Sequence, residues 1–518
     1  MSKSTFVQST VILTIATLIS KILGSIFRIP LQNIAGDEVL GIFSLVYPVY
    51  MVALILSVAG LPLAISKLIA EAQTQSDRSS VRHIYITASI LAITFGIVSF
   101  LLIFAFSVEI ANLLGGSSTR LALIVVAGTL LVAPYMAVYR GFFQGMGDMK
   151  PTALSQVLEQ FIRVGFILVI AYYLVNQGYS NEVIAGGVMI GSIIGALASL
   201  LYLRLTYQRF SDKPVSTAPY SFADFKKWSK TGLKVSIPIA IGSLTMALFN
   251  VVDSFTIPYG LKLTGTPVSD VNYLYGIYGR GLALVQIATV FATSIVLPLV
   301  PLITKKLANN DLEGTRQVIE KTHFMSHIIS WPAAFGLLAL TLPLNLGLFT
   351  NLEGSSMLAI INFSSVFTAF VLVGTGILQG MNLVRTAAVV ILIGILLKII
   401  GNLLFIPSLG IEGAAVASLI VYAVLMFINI NSIKKHFNFR FLNLKVFQII
   451  MSSILIGVII GAPTILLSIN EWTRLQSLTY IAIAIVIGGI IYFILLLVFK
   501  VIDKSFFHNL PFMKMIQQ

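Results

Sequence analysis

The stretch ISKILGSIFRIPLQ, from Ile19 to Gln32, lies in an apolar run that begins near Phe6 and is long enough to span a bilayer. About 20 apolar residues cross the hydrocarbon core as a helix. The run nevertheless carries Lys21 and Arg28, although a charge at membrane depth costs roughly 2.5–3.5 kcal/mol on insertion scales. The stretch therefore predicts a membrane-spanning helix whose two cations have a function.

The composition of the whole chain also indicates a membrane protein. Of its 518 residues, 57% are hydrophobic and 10% are charged, and the mean hydropathy is +0.97, whereas soluble proteins carry roughly 25% charged residues. Fourteen segments are apolar enough to cross a bilayer, which predicts an all-α polytopic membrane protein with 14 transmembrane helices. The chain has no cysteine and no phosphate-binding loop motif, so we expect no disulfide, no ATP site and no cofactor.

The basic residues predict the orientation of the chain. Of the 33 Lys and Arg residues, 24 fall in segments that are cytoplasmic if the N-terminus is inside, and the outer loops hold Arg120, Lys262 and Arg474. Cytoplasmic loops of membrane proteins carry an excess of Lys and Arg. The distribution predicts cytoplasmic N- and C-termini, and it accounts for the net charge of +14 without a nucleic-acid partner.

Short matches between the two halves of the chain predict an internal duplication. Most of them share one shift in numbering: Gln144-Gly145-Met146 matches Gln379-Gly380-Met381, Gly41-Ile42 matches Gly276-Ile277, and Arg163 matches Lys398. Ile29-Pro30 matches Ile257-Pro258 at a slightly smaller shift. A six-helix repeat gives two lobes related by a parallel pseudo-two-fold axis along the membrane normal. The predicted domains are an N-lobe (1–225), a C-lobe (226–440) and a segment with two additional helices (441–518).

Lys21 and Arg28 are candidates for binding an anion. They are seven residues apart, which is two helical turns or about 10 Å along one face. Gly24 and Ser25 lie between them, and these small residues either open a notch for a large anion or allow close helix packing. The alternative for Arg28 is that its side chain extends to water at the end of the helix.

Arg280 is the third candidate for binding an anion. It stands in GIYGRGLALV (276–285), where the neighbouring glycines would leave its guanidinium unobstructed. The planar fork of arginine matches phosphate oxygens with two parallel hydrogen bonds. The alternative for Arg280 is a salt bridge between helices.

The other charges at predicted membrane depth suggest local partners. Arg140 lies near the end of its helix and could extend to water. Glu159 precedes Arg163 by four residues, a spacing that suits an ion pair. Asp253 could pair with Lys398 or bind a coupling ion. Together, six cations and two acids leave a charge of +4 at membrane depth, which would attract an anion such as a phosphate or diphosphate.

The pair His323 and His327 has the i, i+4 spacing of some metal sites. No acid or further histidine converges on it in the sequence, so we expect no metal and interpret the pair as the solvated start of a helix. No Ser-His-Asp set or carboxylate pair is recognisable either. The sequence therefore does not predict an enzyme.

Three stretches carry a resemblance to a known family: SKILGSIFRIPLQNIAG (20–36), GLPLAISKLIAEA (60–72) and YRGFFQGMGDMKPTA (139–153). With the fourteen-helix plan, they resemble the MurJ-type lipid II flippases, in the branch that includes stage V sporulation protein B. The wider superfamily exports polysaccharide-linked lipids and drugs. The resemblance implies a two-lobed transporter of the bacterial cytoplasmic membrane that works by alternating access. A central cationic cavity would bind the diphosphate-sugar headgroup, and a groove formed with helices 13 and 14 would hold the polyprenyl tail.

The resemblance also assigns residues. The family's helix-1 motif, Ser-Arg-x-x-Gly and a second arginine, is matched by Ser20, Lys21, Gly24 and Arg28, with Lys in place of the first Arg and Arg28 one residue later than usual. The family's helix-8 arginine is matched by Arg280. The acid often found one turn later in the family is missing here.

The predicted function is a flippase that moves lipid II, an undecaprenyl-diphosphate-linked cell-wall precursor, to the outer leaflet. Lys21, Arg28 and Arg280 would bind the diphosphate, and the supporting cavity charges would be Arg163, Lys398, Glu159 and Asp253. Membrane lipids and the cell-wall synthesis machinery are the other expected partners. Two alternatives stay open: export of another lipid-linked glycan, such as a teichoic acid or capsule unit, and a multidrug cation antiporter that would need Asp253.

Overall fold

A computed structural model describes residues 3–58, 60–75, 77–211, 213 and 219–502 of the chain. Over these residues it contains α-helices and three short 3-10 helices and no β-strand. The α-helices are α1 (Lys3–Ile26), α2 (Arg28–Val58), α3 (Leu61–Thr74), α4 (Arg78–Ala105), α5 (Ser107–Leu113), α6 (Arg120–Ala127), α7 (Ala133–Gly145), α8 (Lys150–Asn176), α9 (Asn181–Arg209), α10 (Phe222–Ser243), α11 (Thr245–Leu263), α12 (Val268–Ala308), α13 (Leu312–Ala339), α14 (Thr341–Phe349), α15 (Ser355–Gly380), α16 (Val384–Leu409), α17 (Ile411–Lys434), α18 (Leu444–Leu466) and α19 (Arg474–Val498).

Local chemistry explains several helix ends. α4 begins after Asp77, whose carboxylate accepts the Ser80 backbone N–H at 2.9 Å as an N-cap. The hydrogen bonds from Ser80 also lower the pKa of Asp77 from its usual value. The first apolar run is interrupted at Phe27 between α1 and α2, and α2 contains a kink at Gly36, whose φ of 81° lies in the left-handed region that favours glycine.

The prediction of an all-α polytopic membrane protein is confirmed. By length and apolar composition, ten stretches of the described residues can cross a membrane, or twelve if two bent helix pairs are included, compared with the fourteen predicted. The first stretch, Ile12–Thr74, has 63 residues, enough for more than one crossing. The predicted segment 232–258 falls on α10 and α11, where the side chains of 238–243 and 245–246 are outside the described part of the structure.

The helices form two compact units. Unit 1 comprises Met1–Ala283 and Ile391–Ala414, and unit 2 comprises Leu284–Val390 and Ala415–Gln518. These units are groups of residues that pack together, whereas the domains 1–225, 226–440 and 441–518 are inferred from the sequence repeat. The predicted domain boundaries therefore stay predictions.

Each unit contains the same glycine-mediated helix contact, in agreement with the duplication. A Cβ on Gly145 of α7 would lie 2.7 Å from Cβ of Ile69 on α3 in unit 1. In unit 2, a Cβ on Gly380 of α15 would lie 3.0 Å from Cβ of Ile303 on α12. Gly145 and Gly380 are the glycines of the repeated Gln-Gly-Met sequence. The repeat is therefore visible in the packing as well as in the sequence.

Helix α2 and the first half of α12 approach closely at two glycines within unit 1. A Cβ on Gly41 would overlap the Asn272 carbonyl oxygen, and a Cβ on Gly276 would overlap the Asp37 carbonyl oxygen. Asp37 matches Asn272 at the same shift that relates Gly41 to Gly276. The two contacts are thus equivalent under the repeat, and neither position has room for a side chain.

Candidate functional site

The candidate site lies in unit 1, where a polar face of α8 packs on α1. Gln156, Glu159, Gln160 and Arg163 recur on α8 at the spacing of one helix face. The Thr17 hydroxyl of α1 donates to the Gln156 side-chain oxygen at 3.1 Å. The side of α1 that carries Lys21 and Gly24 therefore faces polar groups rather than lipid.

Gly24 provides space for side chains from α8. A Cβ on Gly24 would lie 3.3 Å from Nη2 of Arg163 and 3.3 Å from Oε1 of Gln160. The predicted notch at Gly24 exists, but α8 side chains occupy it. Ser25 is fully buried, and its hydroxyl donates to the Lys21 carbonyl at 2.8 Å. Both small residues thus serve the packing of α1 in this conformation.

Arg163 is buried and its charge has no carboxylate partner in the described part of the chain. It is 8% exposed, and its Nη1 donates to the Tyr47 hydroxyl at 3.1 Å. Its guanidinium carbon lies 5.8 Å from the ring centre of Phe27 and 5.9 Å from that of Tyr47, a distance at which rings attract cations. Its Nε is buried without a hydrogen-bond partner. Aromatic rings and a tyrosine hydroxyl, rather than a carboxylate, therefore surround this charge.

Arg28 lies against the same aromatic cluster. Its guanidinium carbon is 6.0 Å from the Phe43 ring centre, and Phe43 stacks on Tyr47 at 5.2 Å. Arg28 is 9% exposed and its Nε has no hydrogen-bond partner. Its side chain is buried, so the alternative that it extends to water is wrong for this conformation.

Lys21 lies one turn before Gly24 on α1 and is half-buried. Its ammonium group makes no ion pair within 4 Å among the residues that the structure describes. Lys21, Arg28 and Arg163 together form a set that we call the cation cluster, because each presents a positive charge beside α1 without a carboxylate.

The predicted ion pair between Glu159 and Arg163 is wrong. Glu159 instead accepts a hydrogen bond from Nη2 of Arg140 at 2.7 Å. Arg140 also donates to the hydroxyls of Ser155 at 3.0 Å and Ser199 at 3.1 Å. Its side chain is 14% exposed, so the suggestion that Arg140 extends to water is wrong as well. Glu159 therefore makes its direct ion pair with Arg140, and Arg163 makes none within 4 Å among the described residues.

Arg280 has a carboxylate partner, Asp37. Its Nε donates to Oδ1 of Asp37 at 2.7 Å, and its Nη2 donates to Oδ2 of the same carboxylate. The Arg280 side chain is fully buried. The neighbouring Gly279 does not leave the guanidinium open, since a Cβ there would lie 2.7 Å from the Ser44 hydroxyl of α2. The interhelical salt bridge, stated above as the alternative, therefore describes Arg280, and we do not retain it as a diphosphate ligand.

Sequence reasoning missed Asp37 because it lies beyond the first predicted span. The repeat did contain a signal. Gly41 and Gly276 are matched by the repeat, and Asp37 lies four residues before the first while Arg280 lies four residues after the second. Because Gly276 packs against the backbone of Asp37, Arg280, one turn further along α12, reaches the Asp37 carboxylate.

The predicted pair of Asp253 and Lys398 is confirmed. Nζ of Lys398 lies 3.2 Å from Oδ1 of Asp253, and both side chains are nearly inaccessible, at 1% and 2% exposure. The carboxylate also accepts hydrogen bonds from the Tyr278 hydroxyl at 2.9 Å and from Asn402 at 2.8 Å. With one cation and two neutral donors, Asp253 has its counter-charge already, which argues against a coupling-ion site.

These pairs change the charge balance at membrane depth. Arg140, Arg280 and Lys398 have carboxylate partners in Glu159, Asp37 and Asp253. The cation cluster is what remains within the described residues. The uncompensated charge becomes +3 rather than +4, because Asp37 was not counted among the buried acids. The structure also gathers this charge beside one helix, α1.

The interpretation of His323 and His327 as a solvated helix start is wrong. They are 2% and 1% exposed and pack among Phe370, Phe439 and Phe441. His327 accepts the Trp331 indole N–H at 2.9 Å and contacts the Phe441 carbonyl at 3.2 Å. No group of three potential metal ligands occurs among the described residues.

Comparison with known proteins gives the family. The model of a family described as "Polysaccharide biosynthesis protein" matches residues 6–307. The chain belongs to this family. It is 30% identical to membrane protein YabM of Bacillus subtilis over 98% of this chain and 94% of that protein. It is 26% identical to the lipid II flippase MurJ of B. subtilis, over 94% of each chain. It is 27% identical to stage V sporulation protein B of B. subtilis, over 99% of this chain and 98% of that protein.

Solved structures confirm the fold. The lipid II flippase MurJ in an inward closed conformation matches with a TM-score of 0.68 at 16% identity, over 94% of this chain and 98% of that one. An inward-facing multidrug transporter of the MATE family matches with a TM-score of 0.65 at 17% identity, over 82% and 96%. Membership of the family is thus established, whereas the assignment to the branch of stage V sporulation protein B stays a prediction, since YabM shares more identity.

Proposed function

We propose that this protein is a flippase or exporter that moves a polyprenyl-diphosphate-linked glycan across the membrane. The observation that carries the proposal is the cation cluster of Lys21, Arg28 and Arg163, which has no carboxylate partner among the described residues. A buried charge without a counter-charge costs free energy. A diphosphate headgroup would supply the counter-charge and recover that cost.

The geometry of the cluster suits a diphosphate. Arg28 and Arg163 lie on one aromatic cluster formed by Phe27, Phe43 and Tyr47, so both guanidinium groups are positioned before a substrate arrives. Each has a buried Nε without a partner. Guanidinium groups bind phosphate oxygens with paired, charge-assisted hydrogen bonds. Lys21 adds a third positive charge that can follow the headgroup on a flexible chain.

The polyprenyl tail would lie on unit 2. A largely apolar groove of about 620 Å³ runs between α18 and the helices α13 to α15. Val458 and Ile465 line it and are 61% and 81% exposed. α18 is the thirteenth helix of the predicted plan, so the groove supports the expected tail site, although α19 does not line it. An isoprenoid chain gains free energy from apolar contact of this kind without needing polar partners.

The finer assignments follow the relatives. We take lipid II as the first candidate substrate because one relative is named a lipid II flippase, with another lipid-linked glycan as the alternative. The protein would lie in the bacterial cytoplasmic membrane with both termini inside, as the basic residues suggest. No ATP site is recognisable in the sequence, so the membrane potential, an ion gradient or consumption of the product outside would drive transport. Moving one charge through 100 mV is worth about 2.3 kcal/mol.

The test is complementation in a bacterial strain depleted of its own lipid II flippase, with lipid II on the outer leaflet as the readout. We expect Lys21→Gln, Arg28→Gln and Arg163→Gln each to lower the exposed lipid II about tenfold or more, the effect of losing a hydrogen bond to a charged group. The matched control is Lys67→Gln, since Lys67 is a 61% exposed cation in the same unit. Normal lipid II exposure in all three variants would reject the proposal.

A cation antiporter is the second candidate, because the MATE-family transporter shares the fold. A site for a cationic drug needs an acid that is free to bind it. Asp37, Glu159 and Asp253 each pair with a cation, whereas Glu38 accepts a hydrogen bond from the neutral Asn181 amide. The three paired acids favour the anion carrier. Export of a cationic dye that is lost in Asp253→Asn, with lipid II exposure unchanged, would favour the antiporter instead.

A further inference from the structure

A second cavity lies in unit 2, at the end of the membrane helices rather than in their middle. It has a volume of about 410 Å³ and is lined by residues 317–327 of α13, the loop that follows α17, and the first turn of α18. Its lining includes three basic side chains, Lys321, Arg440 and Lys445. This basic pocket has no role in the flippase proposal.

The pocket keeps most of its positive charge. The acid in its lining is Glu320, which pairs with Nη1 of Arg316 at 2.8 Å and accepts the Arg440 backbone N–H at 3.3 Å. Lys321 and Arg440 make no side-chain ion pair within the described ranges, and Nζ of Lys445 has only the Val501 carbonyl at 3.5 Å. A ligand with a negative charge would therefore be attracted to this pocket.

Hydrogen bonds connect residues at the base of the pocket. The Trp331 indole N–H donates to Nδ1 of His327 at 2.9 Å, which places the His327 proton on Nε2. Nε2 in turn donates to the Phe441 carbonyl at 3.2 Å. His327 and Phe441 both line the pocket and are 1% and 8% exposed. This chain of hydrogen bonds links α13 to the loop that carries Arg440.

Exposed apolar side chains stand directly beside the basic pocket. Leu442, Leu444 and Phe447 are 65%, 72% and 58% exposed, and they belong to the same loop and to the first turn of α18. α18 is long and apolar enough to cross a membrane, so its first turn lies at the membrane boundary. The surface thus combines a basic pocket with neighbouring apolar side chains. An anionic phospholipid is complementary to it, because its headgroup is negatively charged and its acyl chains are apolar.

We propose that the basic pocket binds the phosphodiester headgroup of an anionic phospholipid, with the acyl chains lying against Leu442, Leu444 and Phe447. Lys321, Arg440 and Lys445 are the headgroup ligands. A bound lipid would bridge α13 and α18 across the loop and so stabilise unit 2. The source is a bilayer phospholipid rather than the transported diphosphate, because the pocket opens at the membrane boundary beside lipid-facing side chains.

The experiment uses the purified full-length protein in detergent, titrated with short-chain phosphatidylglycerol or with phosphatidylcholine of the same chain length, and follows the thermal unfolding midpoint. We expect phosphatidylglycerol to raise the midpoint more than phosphatidylcholine does. The double variant Lys321→Gln/Arg440→Gln should weaken the apparent affinity for phosphatidylglycerol about 25-fold, or roughly fivefold for each cation removed. The control Lys434→Gln/Lys435→Gln removes the same charge from exposed positions on the same segment outside the pocket and should keep the affinity.

Three results would overturn the proposal. One is an equal effect of phosphatidylglycerol and phosphatidylcholine, and another is an equal loss of affinity in both double variants, which would indicate general surface charge. The third comes from the same titration with undecaprenyl diphosphate. If the pocket double variant loses more affinity for undecaprenyl diphosphate than for phosphatidylglycerol, the pocket binds the transported lipid. Lys321→Arg, which keeps the charge, should retain binding and so separates charge loss from misfolding. None of these outcomes depends on whether the cation cluster transports a glycan.

Discussion

Arg163 and Lys398 are matched positions of the two repeats, and their surroundings are opposite. Both lie on the fifth helix of their half, and both are almost completely buried. Lys398 has a carboxylate at 3.2 Å. Arg163 has a tyrosine hydroxyl and two aromatic rings instead. In one repeat the cation at this position pairs with an acid of another helix, and in the other it makes no ion pair among the described residues.

The first helix of each half explains the difference. In the register that aligns Ile29-Pro30 with Ile257-Pro258, Asp253 corresponds to Ser25. α11 therefore presents a carboxylate where α1 presents a small hydroxyl, and that hydroxyl is turned onto its own backbone. Under the repeat, the position that supplies the carboxylate for Lys398 in one half is a serine in the other. The two repeats thus share a framework but differ at one acid: the buried cation has a carboxylate partner in one half, and its counterpart in the other half has no ion pair among the described residues.

The largest effect is expected from unpairing Lys398. Asp253→Asn keeps the shape of the side chain but leaves a buried ammonium without its counter-charge, which should lower the free energy of unfolding by about 3–5 kcal/mol. Thermal or denaturant unfolding of the purified protein measures this. The double variant Asp253→Asn/Lys398→Met removes both charges and should recover most of the loss. A single variant as stable as the wild type would contradict the structural role of this half.

The matching change in the other repeat should affect transport instead of stability. Arg163→Gln removes a charge that makes no ion pair with a carboxylate, so we expect the free energy of unfolding to change by less than about 1 kcal/mol. We expect glycan-lipid transport to fall roughly 10- to 100-fold. Outer-leaflet exposure of the lipid and the unfolding midpoint, measured on the same preparations, check the two parts. A large loss of stability in Arg163→Gln would make the two halves alike and remove the contrast.

Replacing Ser25 by the acid that its counterpart Asp253 provides tests the difference between the two repeats more directly. Ser25→Asp places a carboxylate one turn from Lys21 and beside Gly24, where it can neutralise part of the cation cluster, and we expect about tenfold weaker transport. Ser25→Asn is the control, since it has nearly the same volume without the charge. If both variants lose transport equally, the effect is steric, because Ser25 is fully buried, and the electrostatic argument fails.

The last prediction concerns the glycine contact that the two halves share. Gly145→Ala and Gly380→Ala would bring a methyl group to 2.7 Å and 3.0 Å of an isoleucine Cβ, and overpacking of this kind costs about 1–3 kcal/mol. We expect both variants to unfold more easily, with Gly145→Ala the more affected because its contact is closer. Opposite effects in the unfolding midpoints of the two variants would show that the repeats do not pack in the same way.

The membrane-spanning helices, the buried cations and the internal repeat can all be predicted from the sequence. The apolar lengths determine that the chain spans a membrane as helices, since the hydrocarbon core forces backbone groups to pair within each segment. The number of cations at membrane depth and the constant shift between the repeats are also visible in the sequence. The pair of Asp253 and Lys398 could be predicted because few buried acids were available to choose from.

Which cations stay free was decided only by the tertiary structure. Arg280 is neutralised by an acid 243 positions away, and Glu159 pairs with Arg140, 19 positions away, instead of with Arg163 at the favourable i, i+4 spacing. An ion pair between neighbours on one helix contributes only a few tenths of a kcal/mol. Contacts between helices that are distant in sequence therefore determine which ion pairs form. The sequence by itself determined that positive charge is buried in the membrane, and the packing of α1, α2, α8 and α12 decided where that charge remains without a partner.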